Sequence, residues 1–270
     1  MTAAPSLHPG PVRRETRLTL GMAQLAYRGL AEDWWLRHLG DVHWQLIADA
    51  VGQHSTVFRD AAGRQIYAAF CATEFEQLDP EAAALGSETT LCSELWAVAR
   101  SRLQSVHRLV IGGQEVARMR LISTFVTHLE QGVNASVCRA NPYLLPVLPQ
   151  APDGFAERSS ALAKAQRTDP RIGSPKLELH PCTGSDFNAV GLLYFPSYTR
   201  LFEQAAQRLD PRADWRPVRR RCVTYFTNIE TGETVHAAQM PDGPGHLALW
   251  RQGSGEHPAQ KMAQSLCERF

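Results

Sequence analysis

The sequence lacks most of the signatures that would assign it quickly. Its six cysteines (Cys71, Cys92, Cys138, Cys182, Cys222 and Cys267) are scattered. With no C-x-x-C pair and no histidine at ligand spacing, they signal neither a zinc knuckle nor a disulfide framework, and they read as small buried hydrophobes. Neither sign of charge is in excess: Lys plus Arg number 28 and Asp plus Glu 27, for a net charge of +1. A polyanion binder must neutralise many phosphates, so nucleic acid is not an expected partner. No uncharged apolar run approaches the ~18 residues a membrane span needs, so no membrane partner is expected. The stretch from Met1 to Arg14 holds Pro5, Pro9, Gly10 and Pro11 but no apolar core before a cleavage site. It predicts a loose arm rather than a signal peptide, in a cytoplasmic protein. G-x-x-x-x-G-K-[ST], G-x-G-x-x-G, G-x-S-x-G and H-E-x-x-H are all missing. Nucleotide hydrolysis, dinucleotide chemistry, a serine hydrolase elbow and a zinc protease therefore lack support, and no cofactor or metal is called for.

What is present is a repeated order of elements in a chain of 270 residues, long enough for a sizeable core. Trp35, Leu39, Val42, Leu46 and Ala50 recur at three- and four-residue steps and predict a helix over 31–51. Gly40 inside it costs about 1 kcal/mol relative to alanine, so either close packing requires it or the helix breaks there. A hairpin is predicted next, from Ser55–Arg59 and Gln65–Phe75 around the turn at Asp60–Gly63. A second is predicted from Ser101–Ile111 and Gln114–His128, joined by Gly112-Gly113, which supplies the positive φ angles of a tight primed turn.

The second half repeats this order. Pro196-Ser197 offers a helix start, followed by the stripe Tyr198, Leu201, Phe202, Ala205 and Leu209 and a stop before Asp210-Pro211. Arg219–Ile229 and Glu233–Met240 read as a hairpin turning at Thr231-Gly232, with a last strand at His246–Gln252. Between the halves, residues 142–175 carry Pro142, Pro146, Pro149, Pro152, Pro170 and Pro175 and one short Ala/Ser-rich stretch, Ser159–Gln166. The expected division is a first unit over 15–141, a linker over 142–175 and a second unit over 176–270. A long helix followed by antiparallel strands, twice in tandem, is the pattern of an α+β double hot-dog, two long helices each wrapped by antiparallel sheet. A generic α+β domain with halves alike by chance is the alternative.

The segment Asp186-Phe-Asn188-Ala-Val-Gly191-Leu-Leu-Tyr194-Phe-Pro-Ser-Tyr198-Thr-Arg-Leu-Phe202-Glu203 resembles the start of the helix in hot-dog thioester enzymes. Over most of the chain the sequence is similar to the LnmK-like family of polyketide biosynthesis, acyltransferase/decarboxylases with a double hot-dog fold. Gly21-Met22, Leu39-Gly40-Asp41-Val42-His43-Trp44, Gln65-Ile-Tyr67-Ala-Ala-Phe70, Ser123-Thr124-Phe125-Val126 with Asn134, and Tyr225-Phe226-Thr227-Asn228 carry the similarity. The resemblance implies an enzyme that takes a malonyl- or methylmalonyl-type group from CoA to a tyrosine, passes it to an acyl carrier protein and releases carbon dioxide. Tyr67 matches the family's tyrosine, although Gln65-Ile66 and Ala68-Ala69 replace the expected neighbours. CoA or phosphopantetheine then enters as substrate carrier, not as a cofactor.

A phenol with a pKa near 10 is a poor nucleophile at neutral pH, so Tyr67 needs donors or a cation nearby; otherwise it is a strand tyrosine with a buried ring. An enolate or tetrahedral oxyanion needs hydrogen-bond donors, for which Thr124, Asn134, Asn188 and the backbone at Gly191 are candidates. Each also has an ordinary structural role open to it. His43 and Asp41 cannot form a dyad, because residues two apart lie about 200° apart around a helix; a structural His43 is the favoured reading. Glu203 is either a general base or a structural hydrogen-bonding group. The run Arg216, Arg219, Arg220 and Arg221 faces phosphates or an acidic carrier protein, or it is a solvated strand start. The rival functions are a hot-dog thioesterase or dehydratase using His43 or Glu203, and a non-catalytic carrier-protein binding module. Duplication within one chain reduces the need for a homodimer without forbidding it.

Overall fold

The computed structural model describes residues 10–169, 171, 173, 176–210, 216–253 and 259–270. Its helices are α1 (Glu32–Ala50), α2 (Phe155–Thr168), α3 (Thr183–Asp186) and α4 (Phe195–Leu209). The strands before α4 are β1 (Val12–Thr19), β2 (Phe58–Arg59), β3 (Gln65–Gln77), β4 (Glu88–Ala99), β5 (Arg102–Ile111), β6 (Gln114–His128), β7 (Val137–Arg139) and β8 (Lys176–Leu179). After α4 come β9 (Val218–Tyr225), β10 (Val235–Gln239), β11 (His246–Arg251) and β12 (Gln260–Arg269).

One sheet runs β1-β4-β5-β6-β3-β9-β12-β11-β10-β8, with β2 and β7 as side pairings to β3 and β6. Outward from the central β3–β9 pair, both halves follow the same path: the strand after the helix, then the last, third and second strands, then the strand before the helix. The sheet is therefore duplicated about its centre, and α1 and α4 pack together on one face. Helix α2 covers part of the other face, where Phe155 and Ala156 meet Ala72 and Ile122.

The periodic stripes become the buried faces. Trp35, Leu39, Val42 and Leu46 of α1 are buried, as are Tyr198, Leu201, Phe202 and Ala205 of α4. Pro196 lies in the first turn of α4, where its missing N–H costs no bond. Helix α1 runs unbroken through Gly40. A Cβ there would lie 3.0 Å from Phe195 Cε1 and 3.0 Å from Tyr194 Oη, so the close approach is to the start of α4 rather than to the sheet. Gly112 and Gly113 take φ angles of 57° and 81° and join β5 to β6 as expected.

Other expectations need correction. Strands β9 and β10 do not form a hairpin: β9 pairs with β3 and β12, and β10 with β11 and β8. The turn signal at Thr231-Gly232 marks a crossover between sheet positions instead. Strands β4 and β12 were not anticipated. Val12, Arg13 and Arg14 belong to no loose arm, since they pair with Leu95, Glu94 and Ser93; residues 1–9 lie outside the described residues. The Ala/Ser-rich stretch is part of the longer helix α2, while Pro170 and Pro175 are outside the described set. The cysteines are not core groups: Cys182 is exposed and the other five are half-buried.

Candidate functional site

In each half the strand that follows the helix reaches back to the chain leading into it. Gln77, at the end of β3, accepts the Leu30 N–H through Oε1 at 2.8 Å. Asn228, just past β9, accepts the Leu193 N–H through Oδ1 at 2.8 Å. Leu30 and Leu193 each stand two residues before their helix. Setting them in register places Gly40 opposite Glu203, so the two approaches to the helices can be compared position by position.

Of the sequence candidates, Tyr67, Asn134, Asn188 and Gly191 are linked at the approach to α4. Tyr67 pairs with Val126, and Val126 pairs with Arg139. Ala69 pairs with Thr124, and Thr124 with Arg102. Directly paired residues share a face, and neighbouring strands lie about 5 Å apart. Ile66, Ala68, Leu103 and Phe125 pack with α1 residues, so Tyr67, Thr124, Arg102 and Arg139 stand on the opposite face. A bulge between Phe70 and Ala72 turns the strand just beyond Tyr67. Phe70, two residues on from Ala68, faces the helices by the same alternation and packs on Phe195 at 4.1 Å between ring centroids.

The Tyr67 ring meets His128 edge-to-face at 5.9 Å. His128 Nε2 is 3.1 Å from Asn134 Oδ1. Asn134 Nδ2 donates to two carbonyls, Gly191 at 2.7 Å and Ile229 at 2.6 Å. Two carbonyl acceptors fix which end of the amide is nitrogen, so Oδ1 must face His128. A carbonyl-type oxygen only accepts, so in a neutral His128 the proton is on Nε2 and the lone pair on Nδ1. Asn134 thus ties the end of β6 to both second-half loops and sets the tautomer of the histidine beside Tyr67.

Asn188 and Gly191 lie in the turn that leads into α4. Asn188 Oδ1 accepts the N–H groups of Val190 at 3.1 Å and Leu192 at 3.0 Å, closing a turn. The Gly191 N–H donates to Asn188 O at 3.0 Å, and Gly191 adopts φ 80°. The Gly191 N–H and the Asn188 Oδ1 are both used within the loop before α4. Thr124 is half-buried on the Tyr67 face, and Asn134 is a positioning group.

His43 is fully buried and lies on the helix side of the sheet, away from Tyr67. Its Nδ1 meets Ser105 Oγ and its Nε2 meets Ser123 Oγ, both at 2.7 Å. Ser105 also meets His107 Nε2 at 2.8 Å, and His107 Nδ1 meets Ser93 at 2.8 Å. Burial pushes the pKa of His43 down to about 3 and lowers that of His107 well below the usual range. Both stay neutral and anchor α1 to β4, β5 and β6. Asp41 is exposed and makes no dyad with His43; burial first, and then this carboxylate, raise Tyr194 to about 12.

Glu203 sits at the other approach. Arg269 Nη2 donates to both its oxygens, at 2.8 and 3.0 Å, and Arg221 bonds it as well. Burial acts to raise its pKa, but the Arg221 and Arg269 guanidiniums outweigh it and hold the carboxyl below its usual range. A carboxylate so held is a weak base. Arg221 is fully buried and also binds Glu32 at 3.0 Å. Of the arginine run, only part faces solvent: Arg220 binds Glu74 at 2.5 Å, while Arg219 stays exposed near Glu268 at 4.0 Å.

Sequence reasoning missed His128, Arg102 and Arg139. The alternation 124, 126, 128 along β6 was the available signal, since it puts His128 on the face of Thr124.

No protein-family model and no curated protein matches the sequence. Among solved structures the chain is similar to an acyl-ACP thioesterase from Bacteroides thetaiotaomicron, at 10% identity and TM-score 0.63, over 95% of this chain and 98% of that one. It is equally similar to a 12:0-ACP thioesterase from Umbellularia californica, at 9% identity and TM-score 0.63, over 96% and 95% of the two chains. At such identities the likeness is one of fold, and the fold is the hot-dog, present here in tandem.

Proposed function

We propose that this chain is an enzyme that cleaves acyl thioesters of CoA or an acyl carrier protein where Tyr67, His128 and Asn134 meet. The observation that carries the reading is the contact of the Tyr67 and His128 rings, with His128 Nε2 against Asn134 Oδ1, which assigns the lone pair of a neutral His128 to Nδ1. The other candidate bases are tied up: His43 has both nitrogens bonded, and Glu203 is held by two arginines.

In the reaction, His128 Nδ1 takes the Tyr67 proton as the phenolic oxygen attacks the thioester carbonyl. The C–S bond then breaks, and the departing sulfur takes the proton from His128. The acyl group rests on Tyr67 as an aryl ester until a carrier thiol attacks it in turn. A malonyl- or methylmalonyl-type group would also lose its carboxylate as carbon dioxide, the bonding pair passing to an enolate that is protonated at the α-carbon. Arg102 and Arg139 on the same face supply positive charge for the anionic intermediates. This is the chemistry of the LnmK-like resemblance.

Hydrolysis is the second reading, supported by the two solved structures, both named as thioesterases of acyl-ACP. In it, His128 activates water and Tyr67 only orients the substrate. Thiol release from malonyl-, methylmalonyl- and octanoyl-CoA decides between them. Under acyl transfer both Tyr67→Phe and His128→Gln lose about 10²–10⁴-fold in rate. Under hydrolysis only His128→Gln does. No thiol release from any of the three would leave a carrier-binding module.

A further inference from the structure

Helix α2 does not close fully onto the sheet. Beneath it lies a pocket of about 150 Å³, floored by Ala72 and Thr224, which pair across the central β3–β9 strands, and walled by Phe155, Leu162 and Leu266. It is on the sheet face of Tyr67 but past the Phe70–Ala72 bulge, and its lining holds none of the residues named at the Tyr67 site. Two hydroxyls in this lining are unused. Ser159 and Thr224 are 6% and 2% exposed, and neither hydroxyl has a hydrogen-bond partner among the described residues. Both oxygens keep some accessible surface, in contrast to the sealed, unpartnered amide of Gln166 two turns further along α2. A buried hydroxyl left unbonded is costly, and water is poorly held where most of the wall is apolar.

The lining charges cancel. Glu74 takes Arg220 and the Cys222 thiol on Oε1 and Arg120 on Oε2. Glu268 stands 4.0 Å from Arg219, and the exposed Arg158 donates to the Asp153 carbonyl at 2.9 Å. With two carboxylates and two guanidiniums in the lining, the pocket offers an ionic ligand no excess of opposite charge. The volume is that of a cavity that admits a benzene ring. Ser159 and Thr224 can each donate or accept, and a hydroxyl on the ligand can do the same. We propose that the pocket under α2 binds a small uncharged phenol or alcohol, its hydrocarbon body on Phe155, Leu162 and Leu266 and its hydroxyl turned to Ser159 and Thr224. This site is separate from thioester cleavage and does not depend on it.

Titration of the isotope-labelled full chain with phenol, benzene and benzoate, followed by amide NMR shifts, tests this. The expected result is saturable binding of phenol, about 3–10-fold tighter than benzene, with shifts in α2 and β9 and none from benzoate. The double variant Ser159→Ala/Thr224→Val should bring phenol down to the affinity of benzene, and Leu162→Trp, which fills the pocket, should abolish both. Neither hydroxyl bonds the protein, so the melting temperature of the double variant should hold, which separates lost binding from lost fold. No saturable phenol binding, shifts that avoid α2 and β9, an advantage of phenol that survives the double variant, or benzoate bound as tightly as phenol would overturn the site.

Discussion

At the approach to α4 the facing helix carries Gly40, and Tyr194 and Phe195 fill the space beside it. At the approach to α1 the equivalent position carries Glu203, held by Arg221 and Arg269, with Arg221 also binding Glu32. One end is aromatic and lies near a histidine of fixed tautomer, whereas the other is joined by ion pairs. Duplication makes the two ends alike in backbone, and single side chains make them differ in chemistry. A glycine allows a tight aromatic junction, and a glutamate in its place recruits two arginines and is thereby withdrawn from proton transfer.

The most severe test of the ionic end is Arg221→Met. It leaves the Glu32 side chain, 9% exposed, without its partner, while the half-buried Glu203 keeps only Arg269, and the expected loss is about 3–5 kcal/mol in urea unfolding. A loss below about 1 kcal/mol would mean that the network is ornamental. Gly40→Val probes the aromatic end: overpacking against Tyr194 and Phe195 should cost about 1–3 kcal/mol and lower the melting temperature.

Acid separates the two ends further. His43 has an ordinary pKa of 6.5 when unfolded and about 3 when folded. Below pH 6.5 the unfolded chain binds a proton that the native state refuses, so stability falls by about 1.4 kcal/mol per pH unit from this group. His107 adds to the same slope. Glu203 has the opposite history, with a folded pKa below its unfolded 4.5, so its contribution is present above that value and fades only at lower pH. Urea midpoints at pH 7, 6 and 5 should therefore decline; a flat series would show that the histidine chain takes up protons while folded. Asn188→Asp should have the smallest effect, within about 0.5 kcal/mol, because the side chain serves its turn only as an acceptor.

Much of the fold was legible in the sequence because its signals are local. The stripes Trp35–Ala50 and Tyr198–Leu209, Pro196 at a helix start and Gly112-Gly113 at a hairpin each follow from short-range geometry. The partners of β9 were not legible, since a strand bordered by Thr231-Gly232 looks the same whether it folds back or crosses the sheet to β3 and β12. Arg221 read as part of a surface run because its partners Glu32 and Glu203 lie on two different helices. For the proposed site, the sequence alone offers Tyr67, Thr124 and Asn134 as candidates. The role of His128 depends on carbonyls at Gly191 and Ile229, which are far away along the chain.

Tyr67 as the reacting group at the aromatic end is the central proposal. Intact-mass spectrometry after incubation with methylmalonyl-CoA and malonyl-CoA tests this most directly, with peptide mapping to locate any adduct. The predicted result is an acyl-sized mass gain on the wild type, mapped to Tyr67 and absent from Tyr67→Phe. An adduct that persists in Tyr67→Phe, or thioester turnover in the wild type with no adduct at any time point, would contradict it.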